Sequence, residues 1–180
     1  FAKASADSGK NSDAGHFSFN VKGGRCDMCE GRGEMALDMQ YLPEQRVRCP
    51  HCGGTRYEPE TLEITFRGKT IADVLAMNVD EALEFFKDLP GLNESLQLLQ
   101  SVGLGYLRLG EPTPGLSGGE AQRMKLAGEL KRRHSGTLYV LDEPSTGLHA
   151  DNIETLLGVL DRLMTADSTV ILIDHDPDLI

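Results

Sequence analysis

With 180 residues, 39% of them apolar and 26% charged, the chain can build a packed core and is not disordered throughout. A net charge of −10 argues against a general nucleic-acid binder. No apolar run approaches the ~20 residues of a membrane span and no signal-peptide core opens the sequence, so a soluble, cytoplasmic protein with no membrane partner is expected.

Residues 1–16 are rich in Ala, Ser, Asp, Gly and Lys without an apolar period, and read as a flexible leader. Residues 17–60 hold all four cysteines, as Cys26-x-x-Cys29 and Cys49-x-x-Cys52 with 19 residues between the pairs. In a cytosolic chain such pairs point to metal rather than to disulfides. Two knuckles supply four thiolates, the ligand set of a closed tetrahedral zinc site. No position stays open for a substrate, so zinc at Cys26, Cys29, Cys49 and Cys52 is expected to be structural, stapling a protrusion too small for its own core. Between the knuckles a hairpin is expected, with arms at 35–41 and 46–48 and a turn at 42–45. Over residues 20–57, Lys22, Arg25, Arg32, Arg46, Arg48 and Arg56 outnumber the acids by one. Any nucleic-acid contact would be local to this segment.

Residues 61–115 read as a helical linker leading to the next motif. Glu63–Arg67 alternates like a short strand. Apolar residues from Ile71 to Phe86 fall at helical spacing, as one helix or two, until Leu89-Pro90-Gly91 breaks the pattern. Another helix is expected around Leu96–Val102.

Residues 116–180 alternate helix and strand. Leu116-Ser117-Gly118-Gly119-Glu120 opens a helix over 118–134, with Met124, Leu126, Ala127 and Leu130 as its buried stripe. The free N–H groups and dipole at such a start favour an anion, placing Ser117 and Gly119 against a γ-phosphate. The same residues also spell an ordinary capping box, Ser117 to Glu120. A strand over 137–141 ends in Asp142-Glu143-Pro144, where Asp142 suits hydrated Mg2+ and Glu143 suits a water attacking a phosphate. A helix over 151–165 and an apolar strand over 169–173, covered on both faces, complete a parallel pair with a right-handed crossover. His175 follows that strand, within reach of a γ-phosphate or else a solvent-facing turn histidine. The only approach to a phosphate loop, Asp7–Ser12, lacks the first glycine and has Asn11 in place of the hydroxyl. The fragment alone is therefore expected to bind ATP poorly and to be inactive.

The run Leu116–Gln122, the run Leu138–Glu143 and His175 resemble the signature, Walker B and switch histidine of ATP-binding-cassette (ABC) ATPases. Phe17–Cys26, Val102–Tyr106 and Asp142–His149 narrow the resemblance to the C-terminal half of the UvrA family, the damage-sensing ATPases of nucleotide excision repair. The resemblance implies a partial ABC nucleotide-binding fold, a parallel α/β sheet with helices, carrying an inserted zinc module and a helical signature region. It implies ATP hydrolysis with Mg2+ in composite sites of a homodimer. Ser117, Gly118, Gly119 and Glu120 would close over an ATP held elsewhere. Asp142, Glu143 and His175 would serve a phosphate loop outside this sequence. It also implies damaged double-stranded DNA as partner, a UvrB-type helicase subunit, and a place in the excinuclease and SOS response. By position, Lys22, Arg25, Arg46 and Arg48 would contact DNA phosphates. Asp13-Ala14-Gly15-His16 for the usual Pro-Gly-Arg lead, and Asp174 for the usual Glu, point to a divergent branch such as drug-resistance paralogues. A non-enzymatic, zinc-stabilised module that binds DNA or protein is the reading from another class.

Overall fold

The computed structural model describes residues 1–2, 13–37, 45–132, 136–148, 150–164, 168–177 and 179. The chain divides into two compact units, Phe1–Leu75 and Ala76–Ile180.

In the first unit the four cysteines are themselves a buried core cluster, with Met35 packed against them. Strands β1 (Glu34–Leu37) and β2 (Gln45–Arg48) pair antiparallel, Glu34 opposite Arg48 and Leu37 opposite Gln45. The expected first arm thus begins one residue early; its remainder at 38–41 and the turn at 42–44 lie outside the described residues. Almost every residue of the hairpin is exposed, so its own packing cannot hold it, as is usual for an isolated pair of strands. Helix α1 (Pro59–Leu62) starts with Pro59 in the first turn, where the missing N–H costs nothing. Thr61 in it is fully buried, and its hydroxyl donates to the Gly24 carbonyl at 2.9 Å. Phe1, at the start of the expected leader, stacks 5.5 Å from Phe17 and 6.1 Å from Phe66; residues 3–12 lie outside the described set.

The strand expected at 63–67 does not form. Phe66 and Lys69 exchange backbone bonds at 2.9 and 3.1 Å across Arg67 and Gly68, both at positive φ (+52° and +75°). That is the geometry of a two-residue hairpin turn, and it ends the extended run before it can find a partner.

Helix α2 (Ile71–Ala76) crosses the boundary between the units in sequence, and α3 (Val79–Phe85) follows at once. The 71–88 period is therefore two helices. Asn78 separates them because it caps α3, its side chain accepting from the Glu81 N–H while Glu81 reaches back to the Asn78 N–H. Leu89-Pro90-Gly91 is a start as well as a stop: α4 (Pro90–Ser101) has Pro90 in its first turn and begins well ahead of the expected Leu96.

Helix α5 (Gly118–Arg132), strand β3 (Leu138–Asp142), helix α6 (Ala150–Met164) and strand β4 (Thr169–Ile173) complete the chain, with β3 and β4 parallel and Asp142 opposite Ile173. The core of this unit gathers Val102, Leu104, Leu126, Tyr139, Leu141, Ile153, Leu156 and Leu160. Burying each leucine contributes about 1.5–3 kcal/mol. Two expectations are corrected here. Met124 is 36% exposed, whereas Arg123 is fully buried. Arg123, Leu126 and Ala127 are buried and Leu130 partly so, so three of the four expected positions hold and a cation takes the place of Met124. Among the described residues the sheet is covered on one face rather than two: Leu138, Val140, Ile171 and Ile173 are 46–59% exposed, and only the Tyr139/Leu141 face meets the core. The described helices pack against that one side.

Candidate metal centre and nucleotide half-site

The four cysteine sulfurs lie within 4.8 Å of one another. Cys26 Sγ is 3.9 Å from Cys49 Sγ, and Cys29 Sγ is 3.7 Å from Cys52 Sγ. Four ligands at about 2.3 Å around a tetrahedral zinc stand about 3.8 Å apart, so the set fits this ion. The approach of the backbone is built in. Gly33 donates to Cys29 Sγ at 3.2 Å, and a Cβ on Gly31 (φ +78°) would sit 2.0 Å from the Phe19 carbonyl. Only glycine turns the chain there. Burial pushes the Cys26 thiol up to about 12 and raises Cys29 too. The backbone N–H of Cys52 brings Cys49 down to about 7.

At the start of α5, Ser117 and Glu120 do form the capping box: the Ser117 N–H donates to Glu120 Oε2 at 2.7 Å and the Glu120 N–H to Ser117 Oγ at 3.2 Å. Glu120 has a second partner, the Tyr106 hydroxyl at 2.6 Å, which with the Ser117 N–H holds its carboxyl below the usual range. Sequence reasoning noted Tyr106 within a resembling segment but gave it no role. Gly118 meets open space, but a Cβ on Gly119 would lie 2.8 Å from the Thr146 carbonyl. The signature turn is thus packed backbone to backbone against the loop that follows the acid pair.

Arg123 explains that closeness. Its Nη1 donates to the carbonyls of Pro144 (2.8 Å) and Thr146 (3.0 Å), while Nε and Nη2 have no partner among the described residues. Arg123→Ala leaves two carbonyls without their donor and empties a buried volume. We expect the 144–148 backbone of the intact parent to lose about 2–4 kcal/mol of protection in hydrogen exchange. Unchanged protection would show that the tether carries no weight.

Asp142 and Glu143 stand at the carboxyl end of the parallel pair, where open α/β sheets bind ligands. Both side chains are exposed. Glu143 is left-handed, φ +47°, and its N–H donates to the Ile173 carbonyl at 2.7 Å. His175 arrives from the end of β4, its Nδ1 3.7 Å from Glu143 Oε1. Asp174 positions it, another residue sequence reasoning gave no role. One carboxylate accepts from Ser145 Oγ (2.7 Å), Ser145 N–H (3.1 Å), His175 N–H (2.8 Å) and Asp176 N–H (3.0 Å). Burial opposes its ionisation, but these bonds outweigh burial and hold the carboxyl below its ordinary range.

Of the four cations considered for DNA, Arg46 and Arg48 are exposed and two apart on β2, hence on one face of the hairpin. Lys22 is exposed on a turn. Arg25 is half-buried, with Nη1 on the Asn20 carbonyl at 3.2 Å and its backbone bridged to Tyr57.

A parallel pair ending in two acids, with a glycine-rich helix start packed beside it, is part of an ABC-type nucleotide-binding fold. No protein-family model matches the chain. It is 56% identical over 167 residues to "UvrABC system protein A" of Aquifex aeolicus, covering 92% of this chain and 18% of that protein. The protein of the same name from Thermus thermophilus is 54% identical over 181 residues, covering 100% of this chain and 19% of that one. The crystal structure of UvrA2 from Deinococcus radiodurans superposes with a TM-score of 0.89 at 51% identity, over 99% of this chain and 22% of the other. The chain belongs to the UvrA family and spans about a fifth of the length of the curated relatives it matches.

Proposed function

We propose that the chain is the signature, Walker B and zinc-bearing part of a UvrA-type ATPase of nucleotide excision repair. The meeting of Glu143 and His175 at 3.7 Å, beside Asp142 at the mouth of a parallel pair, is the observation that carries this reading. Glu143 orients a water and takes its proton as the water's oxygen bonds to the γ-phosphorus, releasing ADP and phosphate. His175, fixed by Asp174, faces the γ-phosphate. Asp142 would hold the waters of Mg2+, which when bound supplies charge neutralisation for the phosphates. Ser117, Gly118, Gly119 and Glu120 cap the γ-phosphate of the opposite site in a homodimer, the Ser117 hydroxyl and the free N–H groups at the start of α5 doing so.

Cys26, Cys29, Cys49 and Cys52 would hold a structural Zn2+, and the hairpin it fixes carries Arg46 and Arg48 toward the phosphates of damaged double-stranded DNA. Lys22 lies in the same unit, and Arg25 acts from its inward position by bracing the turn at Asn20. The whole protein then works in the cytoplasm with a UvrB-type helicase subunit. Among the described residues no helix is long and apolar enough to cross a membrane.

The test is binding of the intact parent protein to a duplex with one bulky adduct and to the unmodified duplex, with and without ATP, at one stated salt concentration. A preference of about tenfold or more for the adduct, responsive to ATP, is expected. Equal affinity for both duplexes would move the reading to a drug-resistance paralogue, and no DNA binding would remove the repair function.

A further inference from the structure

The zinc module is fastened by a side chain that belongs to neither knuckle. The Glu58 N–H donates to the Gly24 carbonyl at 3.0 Å, and the Thr61 hydroxyl donates to the same carbonyl at 2.9 Å. The turn into α1 is thereby pinned to the segment that leads into Cys26. From that anchor the Glu58 carboxylate reaches both ways. Its Oε1 accepts the Asp27 N–H at 2.8 Å, inside the first knuckle, and its Oε2 lies 2.9 Å from His51 Nε2, inside the second.

We propose that Glu58 is a positioning residue of the metal centre: one carboxylate that bonds both knuckles, holds them at a fixed separation and slows release of the ion. The inference rests on the zinc reading of the four cysteines. Release requires at least one knuckle to swing its two sulfurs off the ion, and that swing breaks a bond to Glu58 whichever knuckle moves. The hairpin between the knuckles cannot resist the motion, because its strands are exposed and unpacked. A direct ligand role for His51 and Glu58 is the competing idea, since their ligand atoms lie within 4.8 Å of each other and of Cys26 Sγ. It fails on two counts. Four sulfurs already complete a tetrahedral site, and the His51 Nε2 and the Glu58 carboxylate are already bonded to each other.

The experiment uses the intact parent protein. Its zinc content is measured first, then the rate at which zinc passes to excess 4-(2-pyridylazo)resorcinol. Glu58→Ala should release the zinc of this module about 10–100 times faster, the usual cost of losing an outer partner of a metal site. Glu58→Gln keeps an acceptor for the Asp27 N–H and should fall between. His51→Leu cuts one arm of the clamp and should also accelerate release. Glu60→Ala removes a neighbouring exposed carboxylate from the same helix start and leaves Glu58 and its anchor in place, so its release rate should stay that of the wild type; a rise equal to that of Glu58→Ala would mean a general effect of lost negative charge or loosening and overturn the clamp. Zinc that is present yet leaves Glu58→Ala, or Glu58→Gln if the alanine variant does not fold, at the wild-type rate overturns the clamp alone. Absence of zinc from this module in the wild type overturns the metal reading and the clamp with it.

Discussion

Glu143→Gln in the intact parent protein leaves ATP binding in place and lowers turnover by about 10²–10⁴-fold. The exchange is isosteric, so what holds the backbone survives it. Glu143 sits at φ +47°, a conformation that costs a non-glycine residue about 1–3 kcal/mol. It is kept there by its N–H bond to the Ile173 carbonyl at 2.7 Å and by the Thr146 N–H on its own carbonyl at 3.1 Å. An amide oxygen can still accept from Thr146 Oγ1, which stands 3.3 Å from Oε2. The 3.7 Å approach of His175 is longer than a hydrogen bond and does not depend on the charge for its geometry. What disappears is the capacity to take a proton from water. Equilibrium binding of a fluorescent ATP analogue should therefore match the wild type, while phosphate release under saturating ATP collapses. Phosphate release at the wild-type rate would sink the role assigned to Glu143. Weakened binding with turnover reduced in proportion would instead assign the side chain to holding substrate.

The parts of this molecule that were legible in the sequence are those written in local patterns. Strands β3 and β4 and helix α6 fall within one residue of expectation, because uninterrupted apolar runs and a clear 3.6-residue period leave no second solution. The two cysteine pairs likewise announce that their sulfurs will meet, since each short knuckle has one way to turn. What the sequence hid depends on partners distant along the chain. Arg123 lies outside the apolar stripe read from the sequence, and its burial becomes intelligible only when the carbonyls of Pro144 and Thr146 come into place. Nothing in the sequence marks Glu58 until Asp27 and His51 are folded around it. Asp174 beside His175 looks like a neighbour of the functional residue, yet it joins the two strand ends by accepting from Ser145. Glu63–Arg67 shows the opposite failure. A clean alternation predicted a strand, and a tight turn at Arg67-Gly68 left it without a partner.

Cys49→Ser in the intact parent should remove the zinc of this module and release the hairpin, while leaving ATP binding as it was. Zinc takes thiolates. Burial raises the Cys26 and Cys29 thiols, while the Cys52 and His51 N–H groups lower Cys49. Serine in its place offers a hydroxyl that does not ionise in this range and is too hard a ligand for a sulfur site. The consequence for the hairpin is large because, among the described residues, Met35 of its first strand packs on the sulfur cluster. The cluster consists of the four cysteines with Met35 against it, and the paired strands beyond are exposed. Structural zinc sites bind with an apparent ~10–16 kcal/mol near neutral pH, and that binding energy is folding energy. Zinc content should fall by one ion per chain, and limited proteolysis should open the chain between Glu34 and Arg48. Full zinc content in Cys49→Ser would refute the four-cysteine site; zinc lost with the hairpin still protected would mean that the backbone bond from the Cys49 N–H to the Gly33 carbonyl, at 2.9 Å, suffices to hold the strands.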